Sequence, residues 1–276
     1  MFDSPISASD NNPLIIAHRG ASAIAPENTL LAFARGLADG ADGVELDVRL
    51  SRDGVPMVIH DSTLRRTGLC DGVVSEMTSA QLSQISSGDW FNRAHPALAR
   101  ADYNREVIPT LAQVFTFFKT ERERNGPLIY VELKAAKSSR ANVDLPASVV
   151  QLIKDFELQN RTIVVSFNVQ ALAQIKQIEP SILTGALFEP KSSGMKIISG
   201  RRLIAAAVDC GADEVLFHRL IATRRLVELA AEKDLRSVVW TVDDPKWISR
   251  ATRLGIHALI TNNPAVMIRG VSDAGA

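Results

Sequence analysis

The sequence has little with which to cross-link a chain or span a bilayer. Its 276 residues include two cysteines, Cys70 and Cys210. They form no CxxC pair and no metal-ligand spacing. That excludes a disulfide framework and a thiolate metal centre, and leaves them as small buried hydrophobes. No apolar run approaches the roughly 18 residues that a membrane span requires. The opening stretch, MFDSPISASDNNP, lacks a basic start and an apolar core, so no secretory leader is expected. Net charge is missing too, since 31 Lys and Arg balance 31 Asp and Glu. The basic pairs Arg65-Arg66, Arg201-Arg202 and Arg224-Arg225 lie far apart, so the basic surplus of a nucleic-acid binder is not seen. The expectation is a cytoplasmic protein with no transmembrane segment and no nucleic-acid partner.

What is present is a hydrophobic fraction of 46%, enough for one barrel-sized core or two smaller ones. The chain is organised around residues 43–61, GVELDVRLSRDGVPMVIHD. Asp53-Gly54 between alternating apolar residues reads as a two-residue hairpin turn. That register sets Arg52 opposite Val55, Leu50 opposite Met57 and Asp47 opposite His60. Side chains two apart on a strand share a face. Glu45, Asp47 and His60 are therefore expected to point the same way.

Around the hairpin, short apolar runs begin at residues 14, 43, 128, 162, 182, 214, 237 and 258. Helical patterns alternate with them. Thr110 and Gln113 form a capping box before a helix expected to run to Arg124, and a second helix is expected over 143–157. Asp243 or Asp244 caps a helix with Pro245 in its first turn. Residues 62–108 break the rhythm and read as an inserted lobe, with one short helix signalled by the Thr78/Gln81 box and the Met77/Leu82 staple. Eight strand–helix units predict a single α/β domain, a TIM (β/α)₈ barrel with a small insertion after the second-strand hairpin. Loose tails are expected at 1–12 and 270–276. The competing fold is an open doubly wound sheet, for which no glycine-rich dinucleotide fingerprint follows the first strand.

In such a barrel the chemistry sits at the C-terminal ends of the strands. There the chain places His18 and Arg19, Glu45 and Asp47, Glu132 and Lys134, and Trp240. The returning hairpin arm adds His60. Two carboxylates about 4 Å apart repel by roughly 4 kcal/mol at an effective dielectric near 20. Glu45, Asp47 and Glu132 together should take up protons or hold a cation. An all-oxygen set favours a hard divalent cation, Mg²⁺ or Ca²⁺, over zinc. Two histidines and a metal flanked by Arg19 and Lys134 suit cleavage of an anionic ester. The cations would grip phosphate while the imidazoles pass protons. Trp240 is a candidate for substrate contact as well as for packing.

At these residues the chain resembles the glycerophosphodiester phosphodiesterase family. The matching stretches are HRGASAIAPENTLLAF at 18–33, GADGVELDVRLSRDGVPMVIHDSTLRRTG at 40–68, IPTL at 108–111, VELK at 131–134, VSF at 165–167, WTVD at 240–243 and GIHALITNNP at 255–264. The first two are long and specific. The resemblance implies His18 and His60 as the acid–base pair, and Glu45, Asp47 and Glu132 as metal ligands. Arg19 and Lys134 would lie near the phosphate. It implies hydrolysis of glycerophosphodiesters to glycerol 3-phosphate and an alcohol, with the glycerol 2-hydroxyl attacking phosphorus and water opening a cyclic phosphate. Asp243 stands where such proteins often carry Asn, and Ala112 where Glu is common. Two other readings are a lysophospholipase D-like or other phospholipid head-group enzyme and a non-catalytic phosphate-binding barrel. The first calls for an apolar lip, for which Trp90 and Phe91 are candidates. The second calls for the loss of a histidine or carboxylate, and none is missing.

Overall fold

Strand edges decide the architecture. In the computed structural model, which describes residues 12–120, 126–134, 139–190 and 199–274, the sheet leaves no open edge between its first and last parallel strands. The strands are β1 (Leu14–His18), β2 (Gly43–Leu50), β3 (Pro56–Val58), β4 (Leu128–Leu133), β5 (Thr162–Ser166), β6 (Leu183–Phe188), β7 (Glu214–His218), β8 (Arg236–Trp240) and β9 (Ala258–Thr261). All but β3 are parallel, and β1 pairs with both β2 and β9. That double pairing closes the (β/α)₈ barrel and rules out the open sheet. The parallel strands are buried on both faces, which is why they read as near-continuous apolar runs.

Helices cover the outside: α1 (Leu30–Ala38), α4 (Leu111–Thr120), α5 (Ser139–Asp155), α6 (Val169–Ile178), α7 (Gly200–Asp209), α8 (Arg224–Ala231), α9 (Lys246–Leu254) and α10 (Pro264–Ala274). Between β3 and α4 lie the short α2 (Ser79–Leu82) and α3 (Asp89–Ala94). The outer helices bury one stripe each. In α1 this is Ala32, Phe33 and Gly36, and the Thr29 hydroxyl caps the helix by accepting from Ala32 N–H. Fully burying Phe33 contributes about 2–3 kcal/mol. Inside the barrel, Ile16, Tyr130, Val165, Leu216, Val238 and Ile260 pack together, so the lumen is a core and not a pore.

Both capping boxes form as the sequence predicts, at Thr78/Gln81 and Thr110/Gln113. Four expectations differ. The hairpin has a three-residue loop, Arg52-Asp53-Gly54, closed by Ser51 N–H to Val55 O at 3.0 Å. A two-residue type I′ turn needs positive φ at both central residues, and here Gly54 alone adopts it, at 77°. The Asp53 carboxylate instead accepts from the Ser51 hydroxyl and from Ser79 N–H and O–H, tying the turn to α2. The register shifts by one: Val48 faces Val58, Leu50 faces Pro56, and Asp47 O accepts from Ile59 N–H. Asp47 therefore does not face His60. Second, α5 starts at Ser139, a turn before the expected 143. Third, Asp243 caps no helix, and Asp244 Oδ1 accepts from Lys246 N–H at the start of α9. Fourth, α10 carries helix to Ala274, through most of the expected loose tail. The expected end of α4 at Arg124 and the tail before residue 12 lie outside the described residues. Among the described residues no helix is long and apolar enough to cross a membrane.

The inserted lobe has its own small cores. One gathers Met57, Leu64, Val74, Leu82 and Ile108, and another packs Phe91 and Tyr103 on Ala25 and Ala32. Phe91 is fully buried, and Trp90 stands edge-on to it with Arg66 over its face. Neither offers the lip expected of a lipid-facing enzyme.

Candidate active site

Two registers bring the acidic residues together. His18 pairs with Glu45 across β1 and β2, and Asp47 pairs with Glu132 across β2 and β4. Paired residues on parallel strands point to the same side, and residues two apart share a face, so all of them enter the lumen mouth. Glu45, Asp47 and Glu132 are buried, and each offers an oxygen within 4.8 Å of the others.

Three polar neighbours hold them. Arg19 Nε meets Asp47 Oδ2 at 2.9 Å, and Arg19 N–H donates to Glu45 Oε2 at 3.2 Å. Lys134 Nζ bridges Asp47 Oδ1 at 2.9 Å and Glu132 Oε1 at 2.5 Å. Asn28 Nδ2 donates to Asp47 Oδ2 at 2.8 Å, and its Oδ1 accepts from Asp47 N–H. The loop after β1 can do this because Arg19 and Asn28 both adopt positive φ, 55° and 58°. Beside them Gly20, at φ 83°, lies so close to α1 that a Cβ would stand 2.4 Å from the Ala32 carbonyl carbon. Glu27 then joins Arg19 at 3.0 Å to Arg66 at 2.7 Å.

The histidines flank this cluster. His18 Nδ1 lies 2.7 Å from Asn262 Oδ1, and its Nε2 lies 3.7 Å from Glu45 Oε2. His60 Nδ1 lies 2.6 Å from Asp61 Oδ1, and Asp61 is held by Arg66 at 2.7 Å. His60 arrives by a route other than the predicted pairing. The chain leaves the ladder after Val58, and Arg49 Nε donates to His60 O at 2.7 Å. A cavity of about 340 Å³ opens between the two rings, lined also by Arg19, Lys134 and Trp240. Its far wall is apolar, with Phe167 edge-on to Trp240, whose indole N–H donates to Leu216 O.

The electrostatics follow from burial and like charge. Burial, then Asp47 and Glu132, hold the Glu45 carboxyl well above the usual range. Burial pushes Glu132 up to about 7, with Asp47 adding to the rise against Lys134. Asp47 goes the other way despite its burial, because Lys134 and Arg19 hold it ionised. Burial and Arg19 push the His18 imidazole down to about 4, and burial lowers His60. Glu45 Oε1 is buried with no hydrogen-bond donor. Three carboxylates face two cations, and one oxygen is left over. That donor set fits a hard divalent cation.

The profile of the glycerophosphoryl diester phosphodiesterase family matches residues 18–266. The chain belongs to this family. It is 29% identical over 262 residues to the glycerophosphodiester phosphodiesterase of Caldanaerobacter subterraneus subsp. tengcongensis, covering 95% of this chain and 99% of that protein. An Oleispira antarctica phosphodiesterase, solved in complex with the product sn-glycerol-3-phosphate, superposes with a TM-score of 0.80 at 25% identity over 95% of this chain and 97% of the other. The Thermotoga maritima glycerophosphodiester phosphodiesterase gives 0.69 at 25% identity, over 93% and 97%. In this family member the fold brings together all eight residues singled out from sequence: His18, Arg19, Glu45, Asp47, His60, Glu132, Lys134 and Trp240. Sequence reasoning missed Glu27, Asn28, Asp61, Arg66 and Asn262. Pro26-Glu27-Asn28 read only as a helix start, and nothing local shows that Asn28 reaches Asp47 nineteen residues on.

Proposed function

We propose that this protein is a divalent-cation-dependent glycerophosphodiester phosphodiesterase that releases glycerol 3-phosphate and an alcohol. The observation that supports this most is the buried Glu45–Asp47–Glu132 triad set between His18 and His60, with one carboxylate oxygen unpaired. Glu45, Asp47 and Glu132 would hold the ion, Mg²⁺ or Ca²⁺. The ion, when bound, would polarise a phosphoryl oxygen and offset the charge that builds in the transition state. Arg19 and Lys134 face the same cavity and add positive charge for the phosphate. Each already anchors a carboxylate, so they also fix the triad.

The two imidazoles share the proton work. One accepts the proton of the attacking glycerol 2-hydroxyl, and the other delivers a proton to the leaving alcohol oxygen. Water then opens the cyclic phosphate with the roles reversed. His60 is backed by the Asp61 carboxylate and His18 by a neutral amide, so the rings are held differently for their two tasks. Trp240 and Phe167 form the apolar wall against which the uncharged part of the substrate packs.

The test is an alcohol-release assay on glycerophosphocholine, glycerophosphoethanolamine, glycerophosphoglycerol and lysophosphatidylcholine, with Mg²⁺, Mn²⁺ or Ca²⁺ supplied or chelated. Turnover of a glycerophospho-alcohol that stops on chelation is the expected result. Turnover of lysophosphatidylcholine alone would transfer the reading to a phospholipid head-group enzyme. Failure on every diester with every metal would leave a phosphate-binding barrel.

A further inference from the structure

Asp243 looks out of place in the sequence, and the fold gives it a task. Its carboxylate sits at the surface after β8 and accepts three hydrogen bonds from the loop after β9. Oδ1 takes Thr261 O–H at 2.9 Å and Asn262 N–H at 2.8 Å, and Oδ2 takes Asn262 Nδ2 at 2.8 Å. A carboxylate only accepts, so the end of the Asn262 amide that faces it is the NH₂. The other end is then the carbonyl oxygen, which faces His18 Nδ1 at 2.7 Å and Ser22 O–H at 3.1 Å. A carbonyl oxygen only accepts, so His18 Nδ1 carries the hydrogen. In the neutral ring, Nε2 is then the bare nitrogen. That nitrogen is on the side of Glu45 and the cavity.

We infer that Asp243 and Asn262 are positioning residues that fix His18 in the Nδ1–H tautomer, leaving Nε2 as a proton acceptor directed at the substrate. An amide at position 243 would keep its single oxygen on Asn262 N–H and turn its NH₂ to the Asn262 side chain, which would then present its own NH₂ to His18. The aspartate offers an acceptor at both ends, and its influence passes through one amide to a ring whose own residue lies 244 positions from Asn262. The kinetic consequence rests on the role proposed for His18 in proton transfer. The tautomer itself does not.

The experiment separates the two. The full-length protein, ¹⁵N-labelled at its five histidines and loaded with Mg²⁺, is examined by imidazole ¹⁵N–¹H NMR at pH 8, with His18 assigned from His18→Ala. The expected result is a His18 ring protonated at Nδ1 and bare at Nε2. A His18 ring protonated at Nε2 would overturn the inference without any loop variant. Asn262→Ala should mix the two tautomers and lower kcat roughly 10- to 100-fold, with KM within about twofold and Mn²⁺ affinity unchanged. Asp243→Ala and Asp243→Asn should act in the same direction, the second because its oxygen stays on Asn262 N–H and its NH₂ then opposes the NH₂ of the Asn262 side chain. An Asn262→Ala protein with the wild-type tautomer, with wild-type kcat, or with its loss confined to KM would sink it. If the wild type turns over no phosphodiester, the proposed function fails while the spectrum still decides the tautomer.

Discussion

The two ends of the barrel lumen use the same ingredients in opposite ways. At the floor, register sets Glu214 of β7 beside Arg236 of β8, and the pair closes at 2.9 Å. Tyr130 O–H donates to the other Glu214 oxygen at 3.1 Å. At the mouth, register sets Asp47 beside Glu132, like charge next to like charge. Such cross-strand neighbours are destabilising. Tyr130 and Glu132 are two residues apart on one face of β4, so only about 7 Å of strand separates these arrangements. Burial raises the Glu214 carboxyl, while the Arg236 charge and the Tyr130 hydrogen bond work against the rise. At the mouth three carboxylates answer to two cations, and Glu45 and Glu132 are pushed up toward protonation. The floor is a finished ion pair that holds strands together. The mouth is left one charge short, which is what a cation site needs.

The difference can be broken from either side. The largest effect should come from His18→Ala or His60→Ala, each expected to lower kcat by about 10²–10⁴-fold with an unchanged thermal midpoint. Retained turnover would remove that ring from the proton transfers. Glu214→Gln at the floor should cost about 2–3 kcal/mol in urea unfolding, because Arg236 loses its partner, while Mn²⁺ affinity stays the same. Glu132→Gln at the mouth should do the reverse and weaken Mn²⁺ binding by roughly 10- to 100-fold with little loss of stability, read by titration calorimetry. If the two variants behaved alike, the mouth would be a second structural ion pair.

Acid titration sharpens the same contrast. Glu132 is held at about 7 in the fold against an ordinary 4.5, so between those values the folded chain binds more protons than the unfolded one. Its contribution to the metal-free fold is complete below about pH 4.5 and lost as pH rises through 7. The raised Glu45 acts with the same sign. Asp47, held low, contributes in the opposite sense only in acid below its ordinary value. His18 and His257, both held at about 4 in the fold, act with the opposite sign up to their ordinary 6.5, so the metal-free protein should lose thermal stability between about pH 6.5 and 8. The stabilisation added by Mg²⁺ should grow over that range, because the ion replaces the departing protons. A flat profile without metal would mean that the triad does not take up protons. The smallest effect is expected at the hairpin tip. Gly54→Ala meets no atom within 4 Å but forces a side chain to φ 77°, at a cost of about 1 kcal/mol by chemical denaturation.

Much of the site was legible because strands have a period of two. Glu45 and Asp47 share a face in any register, and strand ends are where barrels keep polar groups, so His18, Glu132 and Lys134 follow from position. The hairpin register was not legible. Asp-Gly fits two loop lengths, and the choice lay with Ser79, which draws the Asp53 carboxylate from the far side of the lobe. His60 nonetheless lines the cavity, because the chain leaves the ladder just before it. The first turn of α5 and the last turns of α10 were missed for want of a clear amphipathic period there.

By itself the sequence determined the elements and the chemistry on offer. Alternation of short apolar runs with helical stripes predicts eight parallel units, and residue type restricts the strand ends to oxygen donors, imidazoles and two cations. Tertiary structure alone decided who pairs with whom. Asn28 on Asp47, Arg66 on Glu27, and Asn262 between Asp243 and His18 are contacts across 19 to 244 residues. No local pattern encodes them. They exist because barrel closure brings β9 beside β1 and lets the loops after distant strands meet over one cavity.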